Sequence, residues 1–395
     1  MHQSLKTDVM NAFGQTVCLS MIVKNEAHVI GRCLDSVRPF IDHWIIVDTG
    51  STDGTQDVIR AAMADRPGRL VERPWVDFAF NRTEALKLAR PHADYTLIID
   101  ADDALIVPDG FVLPRLSDAG YMFTIVDGRT EYFRIQLISN AFDWRYRGVV
   151  HEFLECAGHP HTPMLPVSMR RGDDGARHRD EMSEHRDLAA MEKALSIETD
   201  PFMVARYTFY LARSHRDVGN AAQALRYYLR RAELGYWEEE VYLSLLNAGL
   251  IMDALDKPGD EILAVYDRAI SVCPARAEAR HAASRYCRTT GNFAAGYRYA
   301  EAGVPLPMPG EGLALNPWVY AYGMRDELAF HAFHSGRFRV CLSASLDVLG
   351  RLDVPEDVYS RVSDLARQAL ATMIDPVWGL RHAPYTSEFV PVWKG

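Results

Sequence analysis

The sequence predicts two successive units, an α/β unit with a mostly parallel sheet and then an all-α unit of paired helices. Short apolar runs alternate with helical patterns in the first half, strand patterns stop near Asp180, and small residues recur at turns after it. The length of 395 residues fits two or three domains of about 150 residues. The predicted boundaries are an extension over 1–15, an α/β unit over 16–180, a helical unit over 181–375 and a tail over 376–395.

Composition excludes several classes of function. The net charge is −10 and divides equally between the halves before and after Asp180, so duplex nucleic acid is not an expected partner. The six cysteines include no C-x-x-C pair, which favours reduced thiols in a cytoplasmic protein over disulfides or a zinc ribbon. Apolar runs such as Val17–Val23 fall far short of the roughly 18 residues of a membrane span, and that run lacks the features of a signal peptide.

The first half reads as strands separated by helices. The predicted strands are Val17–Val23, Trp44–Val47, Tyr95–Ile99, Tyr121–Val126 and Tyr132–Ile138. The predicted helices are Ala27–Val37, Thr55–Ala64 and Arg82–Ala89. This alternation is typical of a parallel sheet with helices on both faces. Ligands of such sheets bind beyond the carboxyl ends of the strands, where this sequence places Asp48 and Asp100.

The second half carries a degenerate repeat of helix–turn–helix units. Its turn glycines are Gly219, Gly259, Gly291 and Gly336, spaced 40, 32 and 45 residues apart. Against a period of about 34 residues, this resembles tetratricopeptide-like repeats with insertions; a generic helical bundle is the alternative. A segment rich in proline and glycine, Val304–Asn316, predicts a long loop inside the array.

Three carboxylates directly follow one buried strand, at Asp100, Asp102 and Asp103. Like charges at this spacing repel one another unless a cation lies nearby. An all-oxygen donor set suits Mg²⁺ or Mn²⁺, which keep waters and bridge substrate phosphates. The alternative is an acidic turn in which Asp103 caps a helix.

Four motifs together resemble the family 2 glycosyltransferases with a GT-A, Rossmann-like fold. They are the segments 20–26, 47–55, 81–82 and 100–102. The resemblance covers roughly residues 16–155. It implies an inverting enzyme that uses a nucleotide-diphosphate sugar, most simply a UDP-sugar, together with Mn²⁺ or Mg²⁺.

The resemblance also implies roles for individual residues. Asp48 would hydrogen-bond the nucleotide base, and Arg82 would approach the base or the diphosphate. Asp100 would hold the ribose, and Asp102 would bind the metal on the diphosphate. The chemistry agrees, because a carboxylate accepts hydrogen bonds from a uracil N–H or ribose hydroxyls and a divalent cation neutralises a leaving diphosphate.

Two further positions at the end of the first strand, Val23 and Glu26, are placed near the nucleotide. Glu26 has an alternative role as an acidic residue in the first turn of a helix. Ser51, Asp53 and Gly54 are interpreted as turn and cap residues rather than ligands.

A second motif, residues 146–152, follows the later strands at the position where family 2 enzymes place their catalytic acid. Inversion needs a base that removes the acceptor proton, and a carboxylate suits that role. We expect Glu152 to be this base and His151 to contact the metal or a phosphate. The two roles could be exchanged, and a purely structural His–Glu pair is the alternative.

A third motif, residues 169–179, is basic and punctuated by glycines. It could fold over the diphosphate, with Arg171 or Arg177 on phosphates and His178 as a further metal ligand. The alternative is a solvated linker.

The two-part layout is similar to that of the peptide S-glycosyltransferases of glycosylated-bacteriocin pathways, a similarity of architecture that does not fix the acceptor. A peptide, protein or glycan acceptor is expected. Alternatives are a lipid-linked acceptor, or a docking protein whose sugar-nucleotide site is degenerate. A nucleotidyltransferase is disfavoured, because the first strand is not followed by a glycine-rich phosphate loop. A homodimer is compatible with the sequence. Aromatic residues of the second half could line an acceptor groove or pack between repeats: Trp237, Trp318, Tyr320 and Tyr322.

Overall fold

A computed structural model describes residues 13–128, 130–158, 160–180 and 182–374. The chain divides into two compact units, Met1–Glu198 and Thr199–Gly395. Helix α4 (Ser183–Ile197) is therefore part of the first unit, whereas the sequence analysis places the boundary at 180. The predicted tail over 376–395 and residues 1–12 of the predicted extension lie outside the described residues.

The first unit contains one eight-stranded sheet and a two-stranded sheet. The strands are β1 (Val17–Val23), β2 (His43–Asp48), β3 (Gly68–Glu72), β4 (Tyr95–Ile98), β5 (Ala104–Ile106), β6 (Gly120–Asp127), β7 (Thr130–Ser139), β8 (Trp144–Arg147), β9 (Phe153–Cys156) and β10 (Met164–Arg170). The large sheet has the order β3-β2-β1-β4-β7-β6-β10-β5, and β8 pairs with β9. The first four strands of that order are mutually parallel, as are β6 and β10, whereas β7 and β5 run antiparallel to their neighbours. The prediction of a mostly parallel sheet is confirmed.

Helices cover both faces of this sheet. Alternate residues of a strand point to opposite faces, so one strand contributes side chains to the core on each side. Leu19 and Met21 of β1 share one core with helices α1 (Ile30–Val37) and α2 (Thr55–Ala62). Cys18 points the other way and packs against helix α3 (Phe78–Ala89). All five strands predicted from the sequence are present. Four of the remaining strands, β3, β5, β8 and β9, have only three to five residues each.

The second unit is all-α within its described residues. Its helices are α5 (Pro201–Asp217), α6 (Ala221–Glu233), α7 (Glu238–Ala254), α8 (Gly259–Val272), α9 (Glu278–Thr289), α10 (Phe293–Gly303), α11 (Met324–His334), α12 (Phe338–Leu349) and α13 (Glu356–Ile374). Each helix packs on the next, and α9 also packs on α7 and α11. The four predicted helix pairs are confirmed, from α5–α6 to α11–α12. The predicted loop Val304–Asn316 contains neither helix nor strand.

The turn glycines behave as predicted at three of four positions. Gly219, Gly291 and Gly336 adopt φ of 78°, 74° and 70°, a left-handed conformation that glycine tolerates best. Gly259 differs, because it is the first residue of α8, and the positive φ in that turn, 49°, belongs to Asp256. Asparagine and aspartate enter this region more readily than other side chains.

A buried ion pair joins the ends of α6 and α7. Arg231 Nη2 lies 2.9 Å from Glu240 Oε2, and the two side chains are only 1% and 6% exposed. Arg231 Nη1 also donates a hydrogen bond to the Gly235 carbonyl at 2.7 Å. Both charges are compensated, as burial of a charge requires.

All six cysteines are free thiols, and five of them are buried. Burial raises the pKa of several of these thiols, including Cys18 to about 12. Within the residues that the structure describes, no helix combines the length and the apolarity that a bilayer crossing requires.

Candidate functional site

The predicted site residues gather at the carboxyl edge of β1, β2 and β4. Val23 lies opposite Asp48 in the register of β1 and β2. The Val23 carbonyl accepts hydrogen bonds from both the N–H and the hydroxyl of Thr49, at 2.9 and 3.0 Å. This ties the two strand ends together, and Asp100 follows the neighbouring strand β4 by two residues.

Asp48 carries an unused hydrogen-bond acceptor. Its Oδ1 accepts hydrogen bonds from the N–H groups of Gly50 and Ser51, at 2.8 and 2.7 Å. These two bonds fix the carboxylate. The Asp48 side chain is buried, with the residue only 1% exposed, and its Oδ2 accepts no hydrogen bond from any described residue. A buried carboxylate oxygen without a donor is costly, so the arrangement suits a ligand that brings an N–H group.

Neighbouring residues build the turn that holds Asp48. The Ser51 hydroxyl accepts a hydrogen bond from the Asn25 N–H at 2.9 Å. Asp53 accepts one from the Thr55 hydroxyl at 2.6 Å, and Gly54 precedes α2 with φ of 92°. These are the turn and cap roles predicted for Ser51, Asp53 and Gly54.

Arg82 bridges two of the predicted site carboxylates. Its Nη2 donates to Asp100 Oδ1 at 2.6 Å, and its Nε lies 2.7 Å from Glu152 Oε1 in an ion pair. The arginine side chain is 11% exposed and that of Glu152 is 15% exposed. Burial acts to raise the pKa of Asp100, but the charges of Arg82, Arg134 and Arg171, together with the hydrogen bond from Arg82, hold that pKa below its ordinary value. The structure thus joins the expected ribose carboxylate to the expected base through one guanidinium.

Aromatic rings surround this guanidinium. The Arg82 Cζ lies 5.6 Å from the centre of the Tyr146 ring and 6.0 Å from that of Phe78. Burial raises the pKa of Tyr146 to about 12, against the opposing charge of Arg82, so the phenol is neutral at pH 7. Phe78 was missed in the sequence, and Tyr146 was included in the motif 146–152 without a role of its own, because an aromatic residue in a sequence does not reveal which cation it will contact.

His151 and Glu152 differ in their surroundings. His151 is exposed and adopts φ of 52°, a left-handed conformation that is uncommon for a non-glycine residue. Glu152 is buried against Arg82, as described above. The structure thus gives the two neighbouring residues different environments.

The glycine-rich segment 171–180 lies directly on Asp102. A Cβ added to Gly175 would come within 2.5 Å of Asp102 Oδ2, and one added to Gly172 would overlap the Asp102 carbonyl oxygen. The Gly172 N–H donates to Asp103 Oδ1 at 3.1 Å. Asp103 precedes β5 and not a helix, so the helix-cap alternative is wrong for it.

Helix α1 and the residues before it hold this segment down. Glu26 accepts hydrogen bonds from the Ala176 N–H on both carboxylate oxygens, at 3.1 and 3.2 Å. Arg32 forms a bidentate ion pair with Asp174, at 2.8 and 2.9 Å, and donates to the Asp102 carbonyl at 2.7 Å. Burial, reinforced by the charge of Asp102, raises the pKa of Glu26 to about 7. The segment is therefore packed against the site and is not a free solvated linker.

The remaining basic residues of this segment take separate positions. Arg171 pairs with Asp127 at 2.9 Å. Arg177 pairs with Asp187 of α4 and stacks over Phe78 at 4.7 Å. Asp187 was not among the predicted site residues. It lies on a helix beyond the boundary predicted at 180, and its sequence pattern does not indicate a contact with the carboxyl edge of the sheet.

Residues 18–114 match the family model described as Glycosyl transferase family 2. The first unit is thus similar to this family over part of its length. The matched stretch of 97 residues contains the Asp48, Arg82, Asp100 and Asp102 positions, whereas Glu152 and the segment 171–180 lie beyond it.

Relatives match over limited stretches of their length. A TPR repeat-containing protein of Synechococcus elongatus is 33% identical over 148 residues, 35% of each chain. The SPbeta prophage-derived glycosyltransferase SunS of Bacillus subtilis is 30% identical over 102 residues, 26% of this chain and 23% of that protein. The glucosyl-3-phosphoglycerate synthase of Mycolicibacterium smegmatis is 31% identical over 109 residues, 26% and 35% of the two chains. This chain thus spans about a third or less of the length of these relatives.

Among solved structures, similarity extends to helical repeat proteins. A tetratricopeptide repeat protein from Parabacteroides merdae is 13% identical with a TM-score of 0.37, over 53% of this chain and 77% of that chain. A thermophilic TPR protein from Thermus thermophilus is 17% identical with a TM-score of 0.32, over 46% and 90% of the two chains.

The sequence predicts two side chains of the first unit as ligands of a cation, Asp102 and His178. Burial and the charge of Asp100 raise the pKa of Asp102, and the charge of His178 opposes this shift only in part. Among the described residues, no group of three or more His, Cys, Asp or Glu side chains gathers in a metal-binding arrangement. The donor set therefore fits Mg²⁺ or Mn²⁺ only as a cation that takes its other ligands from phosphates and water, which is how Mg²⁺ is commonly held.

Proposed function

We propose that this chain is a metal-dependent inverting glycosyltransferase, which moves a sugar from a nucleotide-diphosphate sugar to the side chain of a peptide or protein. The observation that carries the donor half of this proposal is the buried, unused Oδ2 of Asp48 at the carboxyl edge of the sheet. The match of residues 18–114 to the family supports glycosyl transfer as the reaction class.

The donor would lie along the edge that joins Asp48, Asp100 and Asp102. Asp48 Oδ2 would accept the N3–H of uracil in a UDP-sugar, although thymine presents the same group and guanine a similar N1–H. Asp100 would accept ribose hydroxyls on the carboxylate oxygen that Arg82 leaves free. Asp102 and His178 would hold the cation, which when bound neutralises the charge that develops on the departing diphosphate.

Glu152 would serve as the general base. It would accept the proton of the acceptor hydroxyl or thiol as that atom attacks the anomeric carbon from the face opposite the diphosphate, which gives inversion. Arg82 fixes the orientation of this carboxylate through the 2.7 Å ion pair, while the second carboxylate oxygen remains for the acceptor. His151 would contact a phosphate or the metal; the exchanged assignment makes His151 the base.

The acceptor half rests on the layout of the chain. A helical repeat unit follows the first unit, and repeat arrays offer extended surfaces that suit polypeptides. The likeness to SunS, which its name describes as a glycosyltransferase, supports glycosyl transfer as the reaction class. A glycan acceptor is the second candidate, which the acceptor panel described next distinguishes.

A panel of nucleotide sugars tests the proposal directly. The full chain is incubated with UDP-, GDP-, ADP- and TDP-sugars, with Mn²⁺ or with chelator, and release of the nucleoside diphosphate is measured with and without peptide or oligosaccharide acceptors. We expect release from a UDP-sugar that requires the metal and that a peptide accelerates. Equal release from all nucleotides, or the same release with chelator, would contradict the donor and metal assignments.

The substitution Asp48→Asn tests the role of the unused oxygen. The amide retains the shape of the side chain but presents an N–H donor or a weaker acceptor to the base. We expect a loss of about 1.5–3 kcal/mol in UDP binding, since hydrogen bonds to charged groups have this magnitude. Calorimetric titration should show that loss for UDP and a smaller one for inorganic diphosphate; an equal loss for both would place the base elsewhere.

A further inference from the structure

Helix α1 holds the main chain of the turn between β4 and β5, which carries Asp100 and Asp102. The Cys33 thiol donates to the Asp100 carbonyl at 3.3 Å, and Arg32 Nη2 donates to the Asp102 carbonyl at 2.7 Å. The strand that follows the turn, β5, packs against the same helix. The position of the two carboxylates therefore depends on α1, and Arg32 makes the contact at Asp102.

Arg32 also reaches the glycine-rich segment 171–180. Its Nη1 and Nη2 donate to the two carboxylate oxygens of Asp174, at 2.9 and 2.8 Å. The Asp174 carbonyl oxygen lies 2.8 Å from His28 Nε2, so Asp174 is held through its side chain and through its main chain. One guanidinium thus joins the segment to the main chain of Asp102.

Polar contacts anchor this segment. Its sequence, RGDDGARHRD, includes no apolar side chain larger than that of alanine, and it forms neither helix nor strand. Regions with few buried apolar contacts open locally at a low cost in free energy. The position of the segment therefore depends on its polar anchors, and the ion pair at Asp174 is one of them.

The anchor at Asp174 lies next to the residue that touches Asp102. Asp174 directly precedes Gly175, on which a Cβ would come within 2.5 Å of Asp102 Oδ2. His178, the second predicted cation ligand, follows in the same segment. The side chains of Arg32 and Asp174 are 49% and 46% exposed. Because an ion pair as exposed as this contributes little to global stability, its removal should alter the segment without unfolding the chain.

We propose that Arg32 is a positioning residue of the metal site. It fixes the main chain at Asp102, and through Asp174 it holds the segment on the Asp102 carboxylate. Without the ion pair, the segment lifts from Asp102, and His178 moves away from the cation site. This role rests on the proposed function, because it takes Asp102 and His178 as the residues that hold the cation.

Hydrogen–deuterium exchange of the full chain, without nucleotide or metal, tests the hold on the segment. The Ala176 N–H donates a hydrogen bond in the closed arrangement and reports on it. An exposed ion pair changes an equilibrium by a few-fold, so we expect Arg32→Ala to speed exchange of residues 172–180 by about threefold or more, while exchange of β1 stays unchanged. The matched control is Arg60→Ala, because Arg60 of α2 is an exposed arginine in an ion pair with Asp57; this variant should leave the exchange of the segment unaltered.

Calorimetric titration with UDP at a series of Mn²⁺ concentrations tests the consequence for the metal site. We expect Arg32→Ala to raise the Mn²⁺ concentration that half-saturates UDP binding by about threefold or more, and Arg60→Ala to leave it unchanged. The thermal unfolding midpoint, measured on the same preparations, should stay in place for both variants.

Reversal of the ion pair separates this role from a loss of structure. Arg32→Glu and Asp174→Arg should each release the segment. The double variant should slow the exchange of the segment again, because the pair is rebuilt with its charges exchanged. Unchanged exchange in Arg32→Ala, or a double variant that exchanges as fast as either single variant, would overturn the proposal.

The proposed function and the role of Arg32 can fail separately. Mn²⁺-dependent UDP binding that Arg32→Ala leaves unaltered would overturn the role of Arg32 while the proposed function stands. Absence of Mn²⁺-dependent UDP binding by the wild type would refute the proposed function, and with it the role of Arg32 at a metal site.

Discussion

The close contact between Gly175 and Asp102 makes the substitution Gly175→Ala a sharp probe of the site. A Cβ at this position would lie 2.5 Å from Asp102 Oδ2, whereas ordinary contacts begin at 3.4 Å. The carboxylate must therefore move by about 0.9 Å, and a misplacement of about 1 Å can lower a rate by about 10²-fold. Gly175 does not adopt the left-handed conformation, so the added methyl group acts through this contact and not through backbone strain.

The measurement is metal-dependent release of nucleoside diphosphate by purified Gly175→Ala, beside thermal unfolding of the same preparation. We expect the rate to fall about 10²-fold and the requirement for Mn²⁺ to rise, because Asp102 is displaced from the cation. The matched control is Gly31→Ala, since a Cβ on this α1 glycine meets no atom within 4 Å and should leave activity unchanged. Unaltered turnover of Gly175→Ala, with wild-type metal dependence, would refute the placement of Asp102 at the reaction centre.

Three other substitutions test separate parts of the account. Glu152→Gln should lower the rate of sugar transfer by about 10²–10⁴-fold with little change in UDP affinity, whereas the control Glu155→Gln should leave the transfer rate unchanged. The assignment of Glu152 as the base is wrong if His151→Ala lowers the transfer rate in this way and Glu152→Gln does not. Asp102→Asn should abolish Mn²⁺-dependent UDP binding and leave the unfolding midpoint in place, and full turnover without metal would contradict it. Glu240→Ala should destabilise the helical unit by about 3–5 kcal/mol, because Arg231 is left as a buried unpaired charge, a loss that urea unfolding would measure.

Much of the fold follows from local patterns of the sequence. Buried parallel strands are continuous apolar runs, so Val17–Val23 was predicted with the bounds that the structure gives. The helix pairs could be predicted because glycines occur at the turns between paired helices, as at Gly219. Short or mixed strands such as β3 (Gly68–Glu72), which is largely exposed, give no such pattern and were missed.

The boundary between the two units was harder to predict from the sequence than the strands and the helix pairs. Helix α4 follows the last strand and has the same helical periodicity as the second unit, so the sequence pattern changes at 180. The compact unit, however, continues to Glu198. Only tertiary contacts, such as the ion pair of Asp187 with Arg177, reveal that α4 belongs with the sheet.

The carboxylates at the strand ends were predictable from the sequence, but their contacts with distant residues were not. Carboxylates at strand ends are visible in the sequence, so Asp48 and Asp100 could be named. The ion pairs of Arg82 with Asp100 and Glu152 join residues up to 70 positions apart, and no local pattern encodes such a bridge. The packing of Gly175 on Asp102 likewise depends on how a distant segment folds back.

The most direct test of the central claim is a crystal structure of the full chain with UDP and Mn²⁺, with the metal located by its anomalous scattering. We expect uracil N3 within hydrogen-bonding distance of Asp48 Oδ2, ribose hydroxyls on Asp100, and the Mn²⁺ peak between Asp102 and the diphosphate. A nucleotide bound away from this edge, or a Mn²⁺ peak with no contact to Asp102, would contradict it.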